Sequence, residues 1–374
     1  MRYLKQQIIL FSLLALSLAL MSWGYTGHYK INNSASLSFN LEMEQFIAWA
    51  TTLAEHASDA DDRKETDPNE GPRHYIDIDN YPGFLTEGRI PQTYDSVVAL
   101  YGESFVIDQG VLPWATLTTY DSLVDCFLRR DWAKAVLFAS DLGHYVADAH
   151  MPLHITRNYN GQYSGNNGIH SRYESTMINA YIGQINYPGD DISFVTDVNG
   201  YVFNYLYSNY TYVDSVMAAD DYARGVAGNT SSSVYKQALW EKSMSFTVPL
   251  FNRASHAMAE LIYSAWTEAG KPLINASGLF DPIARRNGIH LQITPNPFKE
   301  YARIQFTLPE SSEVHLQIVN VFGIAIATIV DSCLSKGSHE FTWDTSCLPC
   351  GIYFLSMEAG KVREVRKAIR IAIN

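Results

Sequence analysis

Two hydrophobic periods divide this chain. Between Trp23 and about Gly270, apolar positions recur every three to four residues, the spacing of helices that bury one stripe. In LEMEQFIAWATTLAEHA (41–57), Phe46, Ile47, Ala50, Leu53 and Ala54 fall on one face and predict a single amphipathic helix. DWAKAVLFASDLGHYVADAH (131–150) predicts a second, with Asp131 as N-cap and a stop before Pro152. SFTVPLFNRASHAMAELIYSAWTEAG (245–270) predicts a third, with Pro249 tolerated near its start and Gly270 at its end. Between them lie segments rich in Tyr, Asn, Gly and Asp, such as NYNGQYSGNNG (158–168), suited to loops over a site.

From residue 292 the period falls to two. ARIQFTL, VHLQIVNV, IAIATIV, HEFTWD, GIYFLSME and VREVRKAIRI read as strands separated by turn residues, the pattern of a small β-sandwich. Residues 271–291 read as a linker. The expected fold class is therefore a mainly α domain over 23–270, followed by a small all-β sandwich over 292–374.

Composition adds two points. Residues 1–22 combine a cationic start (Arg2, Lys5) with the apolar run IILFSLLALSLALM, the form of a secretory signal peptide, with cleavage expected before Trp23. The formal charge of −12 is unevenly placed. The leader carries two positive charges and residues 292–374 balance eight basic against eight acidic groups, leaving −14 on residues 23–291. Such a domain will not hold duplex nucleic acid by general electrostatics, and an anionic substrate needs a local positive centre there. Four cysteines are too few for a disulfide scaffold: Cys126 is expected in the core, and Cys347 and Cys350 in CLPC could form a local disulfide after export.

The chemistry concentrates in DLGHYVADAHMPLH (141–154). His144 and Asp148 are one helical turn apart on one face, and His154 follows the Pro152 turn. His150 lies about 200° round the helix from Asp148 and should point away. Asp141 shares the ligand face one turn early, which suits a partner for an imidazole N–H. NNGIHSRYESTMI repeats the spacing with His170 and Glu174. Imidazole and carboxylate one turn apart can converge on Zn²⁺. Upstream, HASDADDRK (56–64) ends a helix in carboxylates, GPRHYIDID (71–79) sets His74 among apolar and aromatic residues, and WGYTGH (23–28) supplies His28.

In that order, WGYTGH, the Asp-rich helix end, RHYID, HYVADAHMPLH and GIHSRYE make residues 23–270 resemble the zinc-dependent phospholipase C and fungal single-strand nuclease superfamily. The resemblance implies a mostly helical fold with three zinc ions at the bottom of a cleft. It implies that Asp148 bridges two close zincs. One would be completed by Asp61, His74 and His144, the other by His28 with the free α-amine and carbonyl of Trp23. The third would be held by His154, His170 and Glu174. Asp61 is also the candidate to orient or deprotonate the attacking water, with Asp59 the alternative at that position. Tyr75, Asp77 and Lys64 are the candidate substrate-binding residues.

Two phosphodiesters remain open. WGxxGH and His74-Tyr75-Ile76-Asp77 resemble the nuclease branch, where an aromatic and an acid read a base. The HSRYE form, ending in Glu174, resembles phospholipase C, and the acidic balance suits a zwitterionic headgroup, so that substrate is favoured. A non-enzymatic zinc-stabilised surface protein is the third reading. The segment 292–374 resembles the C-terminal sorting domains of the type IX secretion system of Bacteroidetes, through Asn296-Pro297-Phe298, Asn320 to Gly323, Trp343-Asp344 and Gly351-Ile352-Tyr353. That resemblance implies passage through periplasm and outer membrane, secretion machinery as a partner, and removal of the domain; a carbohydrate- or surface-binding sandwich is the alternative.

Overall fold

The computed structural model describes residues 23–274, 291–320, 325–346, 348–360 and 362–371. The leader, most of the 271–291 linker and Cys347 of the CLPC pair lie outside the described residues. The chain divides into two compact units, Met1–Pro272 and Leu273–Asn374. No helix among the described residues is long and apolar enough to cross a membrane.

The first unit is helical. Its main helices are α1 (Gly24–Ala35), α2 (Ala50–Glu55), α3 (Asp59–Arg63), α4 (Leu112–Arg129), α5 (Trp132–Asp148), α6 (Val198–Tyr210), α7 (Val213–Ala227) and α8 (Ser233–Glu268). The longest, α8, has 36 residues and spans about 54 Å at 1.5 Å per residue. It packs against α1, α4, α5 and α7. Asp131 caps α5 by accepting from the Lys134 N–H, as expected. Every residue from Leu142 to Asp148 is buried, so the last two turns of α5 are enclosed on all sides. Polar groups there cannot be satisfied by water and must find partners inside the protein.

Two helix expectations change. The 41–57 segment forms a 3₁₀ helix over Leu41–Trp49 before α2. Its deepest side chains, Met43, Phe46 and Trp49, are three residues apart, and a helix of three residues per turn stacks them on one face. The last long helix begins at Ser233, where Ser232 caps the Tyr235 N–H, so Pro249 lies well inside it rather than near its start. Tyr235, Leu239 and Trp240 are buried in the added turns, and this packing offsets the hydrogen bond that Pro249 cannot make.

Among the described residues the second unit contains seven antiparallel strands: β1 (Gln292–Thr294), β2 (Tyr301–Leu308), β3 (Ser312–Asn320), β4 (Ala325–Leu334), β5 (Gly337–Asp344), β6 (Gly351–Ala359) and β7 (Val362–Arg370). They form one sheet in the order β1-β2-β5 and another in the order β4-β3-β6-β7. Leu316 opposes Met357 and Ile318 opposes Leu355 in register, and with Ile304, Phe306 and Trp343 they fill the core. The period of two in the sequence is thus the alternation of buried and outward side chains. The helical unit followed by a β-sandwich is the expected fold class.

Candidate metal centre

Six segments deliver the site. The end of α5 brings His144 and Asp148, α1 brings His28, α3 brings Asp61, and the 3₁₀ turn Gly71–His74 brings His74. Past the Pro152 turn comes His154, and a short α-to-π segment brings His170 and Glu174. The π geometry over Arg172–Met177 replaces the expected regular helix. Its wider turn still brings His170 Nε2 to 3.0 Å from Glu174 Oε2.

These side chains form three clusters whose candidate ligand atoms lie within 4.8 Å of one another: His28, His144 and Asp148; Asp61, His74 and His144; and His154, His170 and Glu174. Asp148, fully buried, stands between the first two. Its Oδ1 is 3.4 Å from His28 Nε2, while its Oδ2 is 3.1 Å from His74 Nδ1 and 3.3 Å from His144 Nε2. Asp61 Oδ1 lies 3.6 Å from His74 Nδ1 and 3.8 Å from His144 Nε2. In a tetrahedral zinc site with bonds near 2.0–2.1 Å, neighbouring ligand atoms are about 3.3 Å apart, so these separations are those of a ligand shell.

The imidazoles are held mostly by main chain. His144 Nδ1 bonds the Ala57 carbonyl (2.7 Å), His154 Nδ1 the His74 carbonyl (2.6 Å) and His170 Nδ1 the Tyr159 carbonyl (3.1 Å). A carbonyl only accepts, so each of these nitrogens carries its proton, and in the neutral ring each Nε2 is a bare lone pair. His144 Nε2 then points at His74 Nδ1 from 2.9 Å. A proton on His74 Nδ1 closes this as a hydrogen bond, and a cation between two lone pairs accounts for it equally well. Asp61 Oδ2, Asp148 Oδ1, His154 Nε2 and Glu174 Oε2 are buried without a hydrogen-bond partner. Cations at the centre of each cluster satisfy all of these groups together, so the residues fit zinc.

The electrostatics agree. Burial pushes His28 down to about 3, and the neighbouring His144 pushes the same way. Burial opposes charge on His144 as well, yet Asp148 and Asp61 hold it up at about 9. Against its own burial, Asp148 is held well below the usual carboxylate range by His144 and His154. The two carboxylates thus favour positive charge at His144, while burial keeps His28 neutral.

Asp61 stands in this centre, whereas Asp59 turns to the surface and accepts from His56 Nδ1 at 2.7 Å. Trp23 is wholly buried, with its Nε1–H on the Ala147 carbonyl (2.8 Å) and its ring against Phe251. Its own carbonyl accepts the Gly27 N–H at 3.1 Å. Gly27 is required there, since a Cβ would lie 2.7 Å from Trp23 Cβ. The expectation for Asp141 is corrected: it accepts from Arg63 (2.9 and 3.1 Å), because the imidazole N–H it was matched to is already used by Ala57.

A cleft of about 350 Å³ opens over the centre, lined by Lys64, Tyr75, Asp77, His74, His154, Tyr159 and His170 among others. Lys64 donates to Asp61 Oδ1 at 2.6 Å. Burial and the nearby Asp79 push Asp77 up to about 7. Gly110, at φ +87°, makes room for this wall: a Cβ there would lie 2.2 Å from the Tyr75 carbonyl.

Two groups around the site carry no signal in the sequence reading. Glu70 lies buried beside His74, inside a run, DPNEGPR, that reads as a solvated turn. Asp220 is also buried and joins Arg172, which sits between His170 and Glu174, to Arg224, Asn166 and Tyr235. With Arg172 also on the carbonyls of Asn166 and Asn167, this network fastens the 158–168 loop to α7.

His150 faces away from the centre, on the Val146 carbonyl (2.7 Å) and against the Tyr205 ring. Burial lowers it from 6.5 to about 4. Since the unfolded chain takes up this proton first, the contribution is intact above pH 6.5 and is lost as pH falls toward 4. Its size is about 3 kcal/mol. In zinc-saturated protein, His150→Gln is expected to lose stability less steeply over that window in denaturant titrations; parallel pH curves would rule this out.

Residues 292–372 match the family described as the secretion system C-terminal sorting domain. No curated protein matches the chain. Two solved structures are similar over most of both chains. One is the alpha-toxin of Clostridium perfringens avian strain SWCP, at 9% identity over 94% of this chain and 98% of that one, with a TM-score of 0.45. The other is the alpha toxin of Clostridium absonum, at 9% identity over the same shares, with a TM-score of 0.43. The C-terminal unit is a sorting domain of the type IX kind, and the protein that carries it is exported through the outer membrane to the cell surface or the medium.

Proposed function

We propose that the helical unit is a zinc-dependent phosphodiester hydrolase of phospholipase C type. The observation that carries the reading is Asp148: one buried carboxylate offers its two oxygens to two different imidazole groups at the floor of a cleft. Zinc, when bound, supplies Lewis acidity, lowering the pKa of water toward neutrality and offsetting charge on phosphate oxygens.

The chain's own groups then divide the work. Asp148 would be shared by two metal positions. Asp61, His74 and His144 would complete one position, and His28 with the Trp23 amine and carbonyl would complete the other. His154, His170 and Glu174 would hold the third. Asp61, held on Lys64 through one oxygen beside the position it would complete, is the group to accept a proton from the attacking water. Lys64 adds a positive charge at the cleft wall for the phosphate.

Tyr75 and Asp77 are placed to receive the rest of the substrate. An aromatic face beside an acid suits a quaternary ammonium headgroup, and the net negative charge of the unit disfavours a polyanion. The nuclease reading rests on the same His74-Tyr75-Ile76-Asp77 segment, which also suits a stacked base.

Mature protein assayed on phosphatidylcholine vesicles, single-stranded DNA and RNA, with and without chelator, tests both. The expected result is turnover of phosphatidylcholine that chelator abolishes and zinc restores. Preferential cleavage of single-stranded DNA or RNA selects the nuclease branch. No turnover of any of the three, with zinc needed only for folding, overturns the enzymatic reading.

A further inference from the structure

His74 is oriented differently from its neighbours. His144, His154 and His170 turn Nδ1 outward to backbone carbonyls and face the clusters with Nε2. His74 does the reverse. Its Nδ1 looks inward, 3.1 Å from Asp148 Oδ2, and no backbone carbonyl meets its outward Nε2. What that Nε2 faces is Glu70 Oε1, at 3.4 Å. The pair stops just short of a closed hydrogen bond, and no other group closes one to that nitrogen.

Glu70 is 1% exposed, a poor place for a carboxylate without partners. It has several, and they fix it. The Tyr145 hydroxyl donates to Oε1, Arg63 Nε donates to Oε2 at 3.4 Å, and Arg73 Nη1 lies 3.7 Å from Oε2. Arg63 is itself anchored on Asp141. Tyr145 follows His144 on α5, so the helix that supplies one candidate ligand also holds the carboxylate that faces another.

We infer that Glu70 is a positioning residue for the metal centre: it takes the Nε2–H of His74 and thereby presents the Nδ1 lone pair to the cluster formed with Asp61 and His144. The inference rests on the metal reading above. A ligating imidazole whose outer N–H is held by a carboxylate is fixed in tautomer and ring angle and is more basic. Asp141, placed by the sequence beside an imidazole, serves instead one step further out, by holding Arg63.

The test is zinc binding by competition with a chelator in wild type, Glu70→Gln and Glu70→Leu, with the melting temperature of each metal-free protein measured alongside. One of the three zinc positions is expected to weaken by about 10–100-fold in Glu70→Leu, and less in Glu70→Gln, whose amide oxygen still accepts. The other two positions keep their affinity. Glu70→Gln, which preserves shape, decides the matter if the leucine variant does not fold. Wild-type affinity at every position in both variants overturns the assignment. So does an equal weakening of all three positions in step with a lower metal-free melting temperature, which marks a purely structural role. Wild-type protein that takes up no zinc defeats the metal reading itself and this inference with it.

Discussion

Asp148→Asn is expected to leave the folded protein with one zinc instead of three and to reduce turnover about a thousandfold. The substitution keeps the volume of a fully buried side chain and removes its charge. His28, His74 and His144 all lie within 3.4 Å of its oxygens, so two metal positions lose a shared anion at once. Breaking a buried charge cluster by removing one partner costs about 3–5 kcal/mol, and about 4 kcal/mol on a barrier is a thousandfold in rate. Elemental analysis and a turnover assay on the same sample check both halves. An asparagine variant with three zincs and normal turnover would falsify the bridging role.

The second large effect is expected at the N-terminus. Protein that keeps Ser22 ahead of Trp23 should bind one zinc fewer and lose turnover at least about a hundredfold, more than the loss of an outer-shell partner brings. An added residue converts the Trp23 amine into an amide, whose nitrogen has no lone pair to give. Trp23 is fully buried and pinned by Ala147, so it cannot move aside for another ligand. Mass spectrometry of the N-terminus, set against zinc content and activity, reads this directly. Full zinc content and activity in the extended protein would defeat the assignment. If it holds, the precursor is inactive until its leader is removed, and a phosphodiester hydrolase is kept from substrates inside the cell.

How much of this was legible beforehand depends on how local the cause is. The strands of the sorting domain follow from alternation alone, because side-chain direction reverses at each residue. The pairing of His144 with Asp148 follows from helix geometry. Contacts between residues far apart in the chain are another matter, and so is the choice between two local helix geometries. Asn40 caps a 3₁₀ helix because Met43, Phe46 and Trp49 fit one face, and the same residues read as an α-helix at first sight. Asp141 lies on the expected face, but which donor reaches it depends on Arg63, 78 positions away. Glu70 and Asp220 look like solvated acids in the sequence. Only the packing of α5 and of α7 shows that water cannot reach them. The resemblance that organised the ligand list supplied what no single spacing could, namely which short motifs belong to one site.

Three imidazoles at the centre are steadied by the carbonyls of Ala57, His74 and Tyr159. A carbonyl is the same group on every amino acid. Tyr159 can therefore change its side chain, which lines the cleft, without altering how it holds His170, provided the 158–168 loop stays fastened by Asp220. The residues that select a substrate and the groups that aim the ligands share positions but not atoms. On the proposed hydrolase reading, such a scaffold lets substrate choice change by mutation at the cleft wall while the groups that aim the ligands stay as they are.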